Sequence, residues 1–148
     1  MTKNIIYFFL FFPLLFFSQS KADAILGKWM ATDKSVKVEI YKVNNDYRAK
    51  ILWFNDKLGS GKPMNSRHDT ANPNPKLRSR KIIGMEILSD LEYNAKKNMW
   101  ENGKIYDAYY GRTWDSAGWL LPDGKLKVRG FWKIQMIGKS LYFYRVNN

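Results

Sequence analysis

The chain has 148 residues, with 25 Lys and Arg against 13 Asp and Glu, a single His and no Cys. Without cysteine there are no disulfides, thiolate-zinc sites, iron–sulfur clusters, cysteine nucleophiles or lipidated N-terminal Cys. The basic excess favours anionic partners such as phosphates, carboxylates, lipid headgroups or acidic glycans, although a basic surface also occurs without any such partner.

The first residues read as a targeting segment. Lys3 supplies a positive start, and residues 5–17 form an apolar run of 13 interrupted only by Pro13. A membrane-spanning helix needs roughly 20 such residues. Ser18-Gln19-Ser20 and Ala22-Asp23-Ala24 follow, so small residues stand where a signal peptidase cuts. The segment is therefore expected to be a signal peptide over residues 1–20, cut after Ser20; Ala24 also satisfies the small-x-small rule. The product is expected to be periplasmic or extracellular, with no membrane span. Removing 20 of 148 residues leaves 128, enough for one domain with a real core over residues 21–148. Export argues against nucleic acid as a partner. Oligomeric state is left open.

Strand signals begin at Leu26. Val36, Val38 and Ile40 alternate with Lys37, Glu39 and Tyr41, the period of a half-buried strand. Asn44-Asn45-Asp46 predicts a hairpin turn. The next strand puts Tyr47, Ala49, Ile51 and Trp53 on one face, with Arg48 and Lys50 on the other. Gly59, Gly61, Pro63, Pro73 and Pro75 mark a loop over residues 55–80, a length that is unusual without a function. Residues 81–91 predict a strand, turned by residues 94–98. In the strand from Met99 to Tyr106, Asn102-Gly103 is expected to make a bulge and not a hairpin. Residues 112–121 lead to the turn Pro122-Asp123-Gly124. Leu126, Val128, Gly130 and Trp132 then alternate with Lys125, Lys127, Arg129 and Phe131, and a last strand covers residues 139–146. About eight short strands without a helical period predict an all-β, antiparallel up-and-down barrel. Such a barrel removes its edges and has room for one small ligand. An open sandwich is the alternative, and the pattern does not separate the two.

Two places resemble known proteins. Gly27-Lys28-Trp29 is similar to the G-x-W that opens lipocalin-like barrels, and Arg145 on the last strand sits where such barrels place an Arg over that Trp. The resemblance implies a structural cation–π contact between Trp29 and Arg145, worth ~1 kcal/mol. The motifs L-G-K-W, V-E-I-Y, N-P-N-P-K-L-R-S-R, I-G-M-E-I-L, G-K-I-Y-D, Y-G-R-T and V-R-G-F occur in the order of a bacterial exported family, domain of unknown function 2147. This resemblance covers residues 26–146. It implies a lipocalin-like barrel and brings no activity with it. One departure concerns G-x-I-Y-D, after whose Tyr the family tends to have Asp-Pro. Here Asp107 is followed by Ala108-Tyr109-Tyr110, so the turn after Asp107 is expected to differ.

Chemistry-bearing constellations are few. His68 has no second His or Cys to share a metal, so no metal or cofactor is expected. No nucleophile elbow occurs, and Gly59-Ser60-Gly61-Lys62 lacks the spacing of a phosphate loop. Glu86, Asp107 and Asp115 are the acids a glycosidase would pair, but nothing in their spacing joins two of them and no catalytic residue is assigned. Binding is the better reading. Arg78 and Arg80 lie two apart, so an extended segment points them the same way, and their guanidinium forks suit carboxylate or phosphate. The competing reading pairs them with Asp69, Asp107 or Glu86 to pin the long loop. Glu86 shares a face with Ile82 and Leu88, opposite Ile83, Met85 and Ile87, and is expected either against an Arg or facing a cavity. Trp29 and Trp53 are expected to fill the barrel. Tyr106, Tyr109, Tyr110, Trp114 and Trp119 are expected near its rim. The ligand is accordingly expected to be a small amphipathic or anionic molecule, held by Arg78, Arg80, Glu86, Tyr106, Asp107, Tyr109 and Trp114. The runner-up is an envelope-surface or protein-binding adaptor using the same basic loop.

Overall fold

The computed structural model describes residues 21–147; residues 1–20, expected from the sequence to be a signal peptide, lie outside them. Eight antiparallel strands close into one barrel in sequence order: β1 (Gly27–Ala31), β2 (Val36–Val43), β3 (Asp46–Phe54), β4 (Glu86–Asn94), β5 (Met99–Asp107), β6 (Arg112–Leu120), β7 (Leu126–Phe131) and β8 (Gly138–Arg145). β8 returns to pair with β1, with Trp29 opposite Arg145 and Ala31 opposite Phe143. The barrel reading is thus the correct one of the two. No open edge remains for another chain to extend.

Closure gives the barrel two unlike ends. At one end a 3-10 turn (Asp23–Ile25) crosses the opening. Its carbonyls accept bonds from barrel side chains: Trp29 Nε1 donates to Ile25 O at 2.8 Å and Trp100 Nε1 to Ala22 O at 3.0 Å. Arg145 donates to Leu26 O and Ala24 O at 2.6 and 2.5 Å, while its guanidinium lies 4.3 Å from the Trp29 ring centroid. Tyr47 donates its hydroxyl to Asp23 at 2.6 Å, and Lys42 pairs with the same carboxylate at 3.0 Å. Above this plug Trp29, Tyr47, Leu91, Trp100, Leu126 and Phe143 fill the bore as one buried cluster.

Bulges decide which residues face inward. Asn102 adopts a left-handed φ of 63°, and the β5–β6 register shifts between Trp100 and Gly103, so Asn102-Gly103 is a bulge inside one continuous strand. Between β2 and β3 the register shifts at Lys37/Val38: Val38 pairs with Ile51, but Lys37 pairs with Trp53. The extra residue, Leu52, takes Trp53 off the Tyr47–Ala49–Ile51 row and leaves it half-buried, which corrects the expected alternation. A similar shift sets Glu86 opposite Lys50 and Leu88 opposite Ala49. Glu86 is therefore exposed while Leu88 is buried, although both fall on one face in the sequence pattern. β4 also starts later than expected. Gly84 (φ 81°) turns the chain, and Lys81 makes only an isolated bridge to His68.

The plug predicts a measurable effect. A chain beginning at Ile25 leaves the buried Tyr47 hydroxyl and Trp100 indole without Asp23 and Ala22, and should lose about 3 kcal/mol of unfolding free energy relative to one beginning at Lys21. Urea denaturation of the two chains checks this, and equal midpoints would show the plug to be energetically idle.

Candidate functional site

The end opposite the plug is formed by the chain between Phe54 and Glu86, the β5–β6 turn and the β7–β8 turn. Its long loop is ordered around Asp69, a fully buried carboxylate. Arg80 approaches it with Nε and a terminal nitrogen, each at 2.8 Å, Asn72 Nδ2 donates at 2.7 Å, and Tyr106 donates its hydroxyl at 2.6 Å. The Asp69 amide donates to Arg80 O at 3.0 Å. Four donors thus compensate a charge that would be costly to bury unpaired. Tyr106 belongs to β5, so this cluster docks the loop onto the barrel. Ala71 completes the dock, because its carbonyl lies where a side chain on Gly111 (φ 64°) would collide with it. A second arginine organises the loop's first half: Arg67 donates to the carbonyls of Lys62 (2.9 Å), Leu58 (2.8 Å) and Asp56, over the ring of Phe54.

These contacts locate the two loop arginines. Arg80 is held by Asp69, the loop-pinning arrangement, with its guanidinium 5.5 Å from the Tyr106 ring centroid. Arg78 is exposed and donates Nε to Asn72 O at 2.7 Å. The two do not converge on a common point, because the 3-10 turn Pro75–Leu77 leaves Arg78 helical (φ −68°, ψ −19°) where an extended chain was expected. Glu86 lies on the outer wall, bonded to the Tyr41 hydroxyl and 3.4 Å from Arg48. Asp115 pairs with Lys104. Asp107 accepts the amides of Tyr109 (2.9 Å) and Tyr110 (3.4 Å), a side-chain-capped turn that replaces the family's Asp-Pro. The three acids a glycosidase would pair therefore serve three separate structural contacts. Tyr109 and Tyr110 are exposed and meet edge to face at 4.7 Å. Trp119 is not at this rim: it stands one residue from the far end of β6, opposite Lys127 of β7, whose ammonium lies over its ring.

The barrel bore opens at the β6–β8 side. Register places Leu120, Leu126 and Phe143 on one inner level, Gly118, Val128 and Leu141 on the next, and Ser116, Gly130 and Lys139 above. Leu126 and Phe143 are buried, but Leu141 is 42% exposed although it lies on the same inward row. At Gly130 neighbouring side chains already take the space: a Cβ there would meet Ile105 Cγ2 at 3.3 Å and Trp114 Cβ at 3.8 Å. At this end lies a mainly apolar cleft of about 610 Å³ lined by Arg112, Thr113, Trp114 and Trp132, the two indoles meeting edge to face at 6.0 Å. Among the described residues no carboxylate lies within ion-pair distance of Arg112 or Lys139. Sequence reasoning missed Arg112, Trp132 and Lys139 as a group, since only the register of three strands brings them together. It offered Asp69 only as one of three possible partners for the loop arginines, since nothing in a polar loop marks which acid is buried.

The fold so described is a lipocalin-like barrel. Among solved structures the chain is similar to protein HP1028 from the human pathogen Helicobacter pylori, which belongs to the lipocalin family, with a TM-score of 0.70 and 26% identity over 84% of each chain. No curated protein matches the chain. Residues 27–145 match the model of an uncharacterized protein conserved in bacteria, DUF2147, and the chain belongs to that family.

Two outcomes follow from the Asp69 cluster. Asp69→Ala leaves Arg80 and the Tyr106 hydroxyl without their acceptor and should cost about 3 kcal/mol in chemical denaturation, with amide exchange of the loop raised above that of the barrel. Burial first, and then the bond to Asp69, push the Tyr106 hydroxyl from its ordinary 10 up to about 12. The fold favours the protonated phenol, so this contribution is complete below pH 10 and is lost as pH rises through about 12. Tyr41 is raised to about 12 by burial and Glu86 in the same sense. Stability should therefore fall between pH 10 and 12, less steeply in Tyr106→Phe; an equal slope in that variant would contradict the assignment.

Proposed function

We propose that this protein is an exported carrier that holds a small amphipathic anion in the open end of the barrel. The single observation that carries the reading is the cleft of about 610 Å³ at the open end, where Arg112, with no carboxylate within ion-pair distance among the described residues, stands beside the indoles of Trp114 and Trp132. Trp114 and Trp132 offer apolar walls with Arg112 and Thr113 beside them, while Lys139 stands on β8 in register with Gly130. Apolar walls with a few convergent polar groups are the usual make-up of a small-molecule site. An unpaired guanidinium beside indoles suits a carboxylate or sulfonate carried on an apolar body. Asp107 and Tyr109 shape the neighbouring turn. Arg80 contributes by fixing Tyr106 and the loop, not by touching the ligand. The signal-like residues 1–20 support export, and cleavage after Ser20 would retain the plug that cleavage after Ala24 would remove.

A second reading, an adaptor at an envelope or protein surface, draws on Lys76, Arg78 and Lys81, which are exposed together on the docked loop.

The probe 1-anilinonaphthalene-8-sulfonate separates the two. Its fluorescence titration should saturate at one site per chain. Arg112→Glu combined with Lys139→Glu should weaken it by about tenfold or more, and Trp114→Ala should do likewise, while Arg78→Glu leaves it unchanged. Loss of binding in Arg78→Glu alone would move the site to the loop. Native mass spectrometry of protein from its own host should in addition show a bound small molecule.

A further inference from the structure

Beyond Trp132, which lines the cleft, the β7–β8 turn carries apolar side chains that ligand binding does not use. Trp132, Ile134, Met136 and Ile137 are all exposed, Met136 at 88%, within six consecutive residues at the open end. Exposed large apolar residues scattered singly need no explanation, but a contiguous group marks a contact surface. Nor is this turn a loose segment. Trp132 N donates to Ile137 O, Ile134 N to Trp132 O and Ile137 N to Ile134 O, at 3.1, 2.7 and 3.1 Å. Lys133 takes a left-handed φ of 63° to make the turn. From below, Arg129 donates to Gln135 O at 2.6 Å, to Met136 O at 3.2 Å and to Ser140 Oγ at 3.0 Å. The backbone polar groups are thus turned toward one another and toward Arg129, and the apolar side chains are presented outward in a shape that is already formed.

Charge identifies what the turn meets. No acidic residue follows Asp123, and of the basic residues that do, Arg129, Lys133 and Lys139 lie at the turn's end of the barrel. Lys133 and Lys139 flank the apolar group, Arg112 stands beside Trp132 in the cleft, and the exposed Tyr109 and Tyr110 belong to the adjacent turn at the same end. A tryptophan, aliphatic tips and flanking lysines are the composition that sits at a bilayer interface, with the indole at headgroup level and the ammonium groups among the phosphates. A second copy of the chain would bring the same cations face to face. We propose that the β7–β8 turn docks the open end of the barrel onto an anionic phospholipid bilayer, inserting Ile134, Met136 and Ile137 while Lys133 and Lys139 engage headgroup phosphates. The contact is peripheral, and it holds whether or not the cleft is occupied.

Co-sedimentation with vesicles tests this. Full-length mature protein should pellet with phosphatidylcholine vesicles containing a quarter phosphatidylglycerol and bind pure phosphatidylcholine about tenfold less well. Binding should weaken as salt is raised from 0.1 to 0.5 M, which shortens the Debye length from about 10 Å to about 4 Å. The triple variant Ile134→Ser, Met136→Ser, Ile137→Ser should lose vesicle binding while keeping its thermal midpoint and its affinity for 1-anilinonaphthalene-8-sulfonate, which separates this surface from the cleft. Met136→Asp alone should show the same loss if the triple variant fails to fold. The proposal is overturned if wild-type protein ignores anionic vesicles, or if the variants bind them as well as wild type, which would leave overall basicity as the cause. It is equally overturned if sedimentation velocity shows a wild-type dimer that the variants abolish, which would make the turn a contact between copies.

Discussion

An eight-stranded barrel has a bore that is either filled by its own side chains or left for one small guest, and this chain divides the choice along its axis. The plugged half is solid because Trp29, Tyr47, Trp100 and Phe143 all point inward within a few levels. At the other end Arg112, Thr113, Trp114 and Trp132 line an open cleft, and Leu141, opposite Val128, stays 42% exposed. Everything at the mouth depends on that asymmetry. Two tryptophans and an arginine line the opening at the end that the plug leaves free.

The long loop solves a different problem. A connection of this length would be mobile unless its polar backbone found partners. Asp69 supplies them from the centre, collecting Arg80, Asn72 and Tyr106 in one buried cluster, while Arg67 gathers three carbonyls of the loop's first half. The two loop arginines both fasten the loop, Arg80 through the Asp69 carboxylate and Arg78 through the Asn72 carbonyl. What the loop gives the mouth is a fixed wall.

The barrel was legible because period-two alternation, turn residues and the Asn102-Gly103 bulge are all local signals. Where the reading slipped, the cause was a single extra residue. The Leu52 bulge moved Trp53 off its row, and the shift next to Glu86 separated it from Leu88. Bulges without glycine leave little trace in a pattern. The cleft was less legible still, since Arg112, Trp132 and Lys139 come from three elements and meet only through inter-strand register. Trp119 shows the converse: an aromatic close to the others in sequence stands near the far end of its strand, opposite Lys127.

The closed end reads backbone more than side chain: Ala22, Ala24, Ile25 and Leu26 hold the barrel's Trp and Arg groups through their carbonyls. Because Arg145 ends β8 at this same plug, the chain enters and leaves the barrel on one side, across the full length of the bore from the β7–β8 turn. A label, a surface tether or a fused partner joined beyond either point would hang from the sealed face and leave the mouth pointing away from its anchor. In terms of handling, the molecule is polar like a cup on a stem, and immobilisation through either extremity would present the opening to solution.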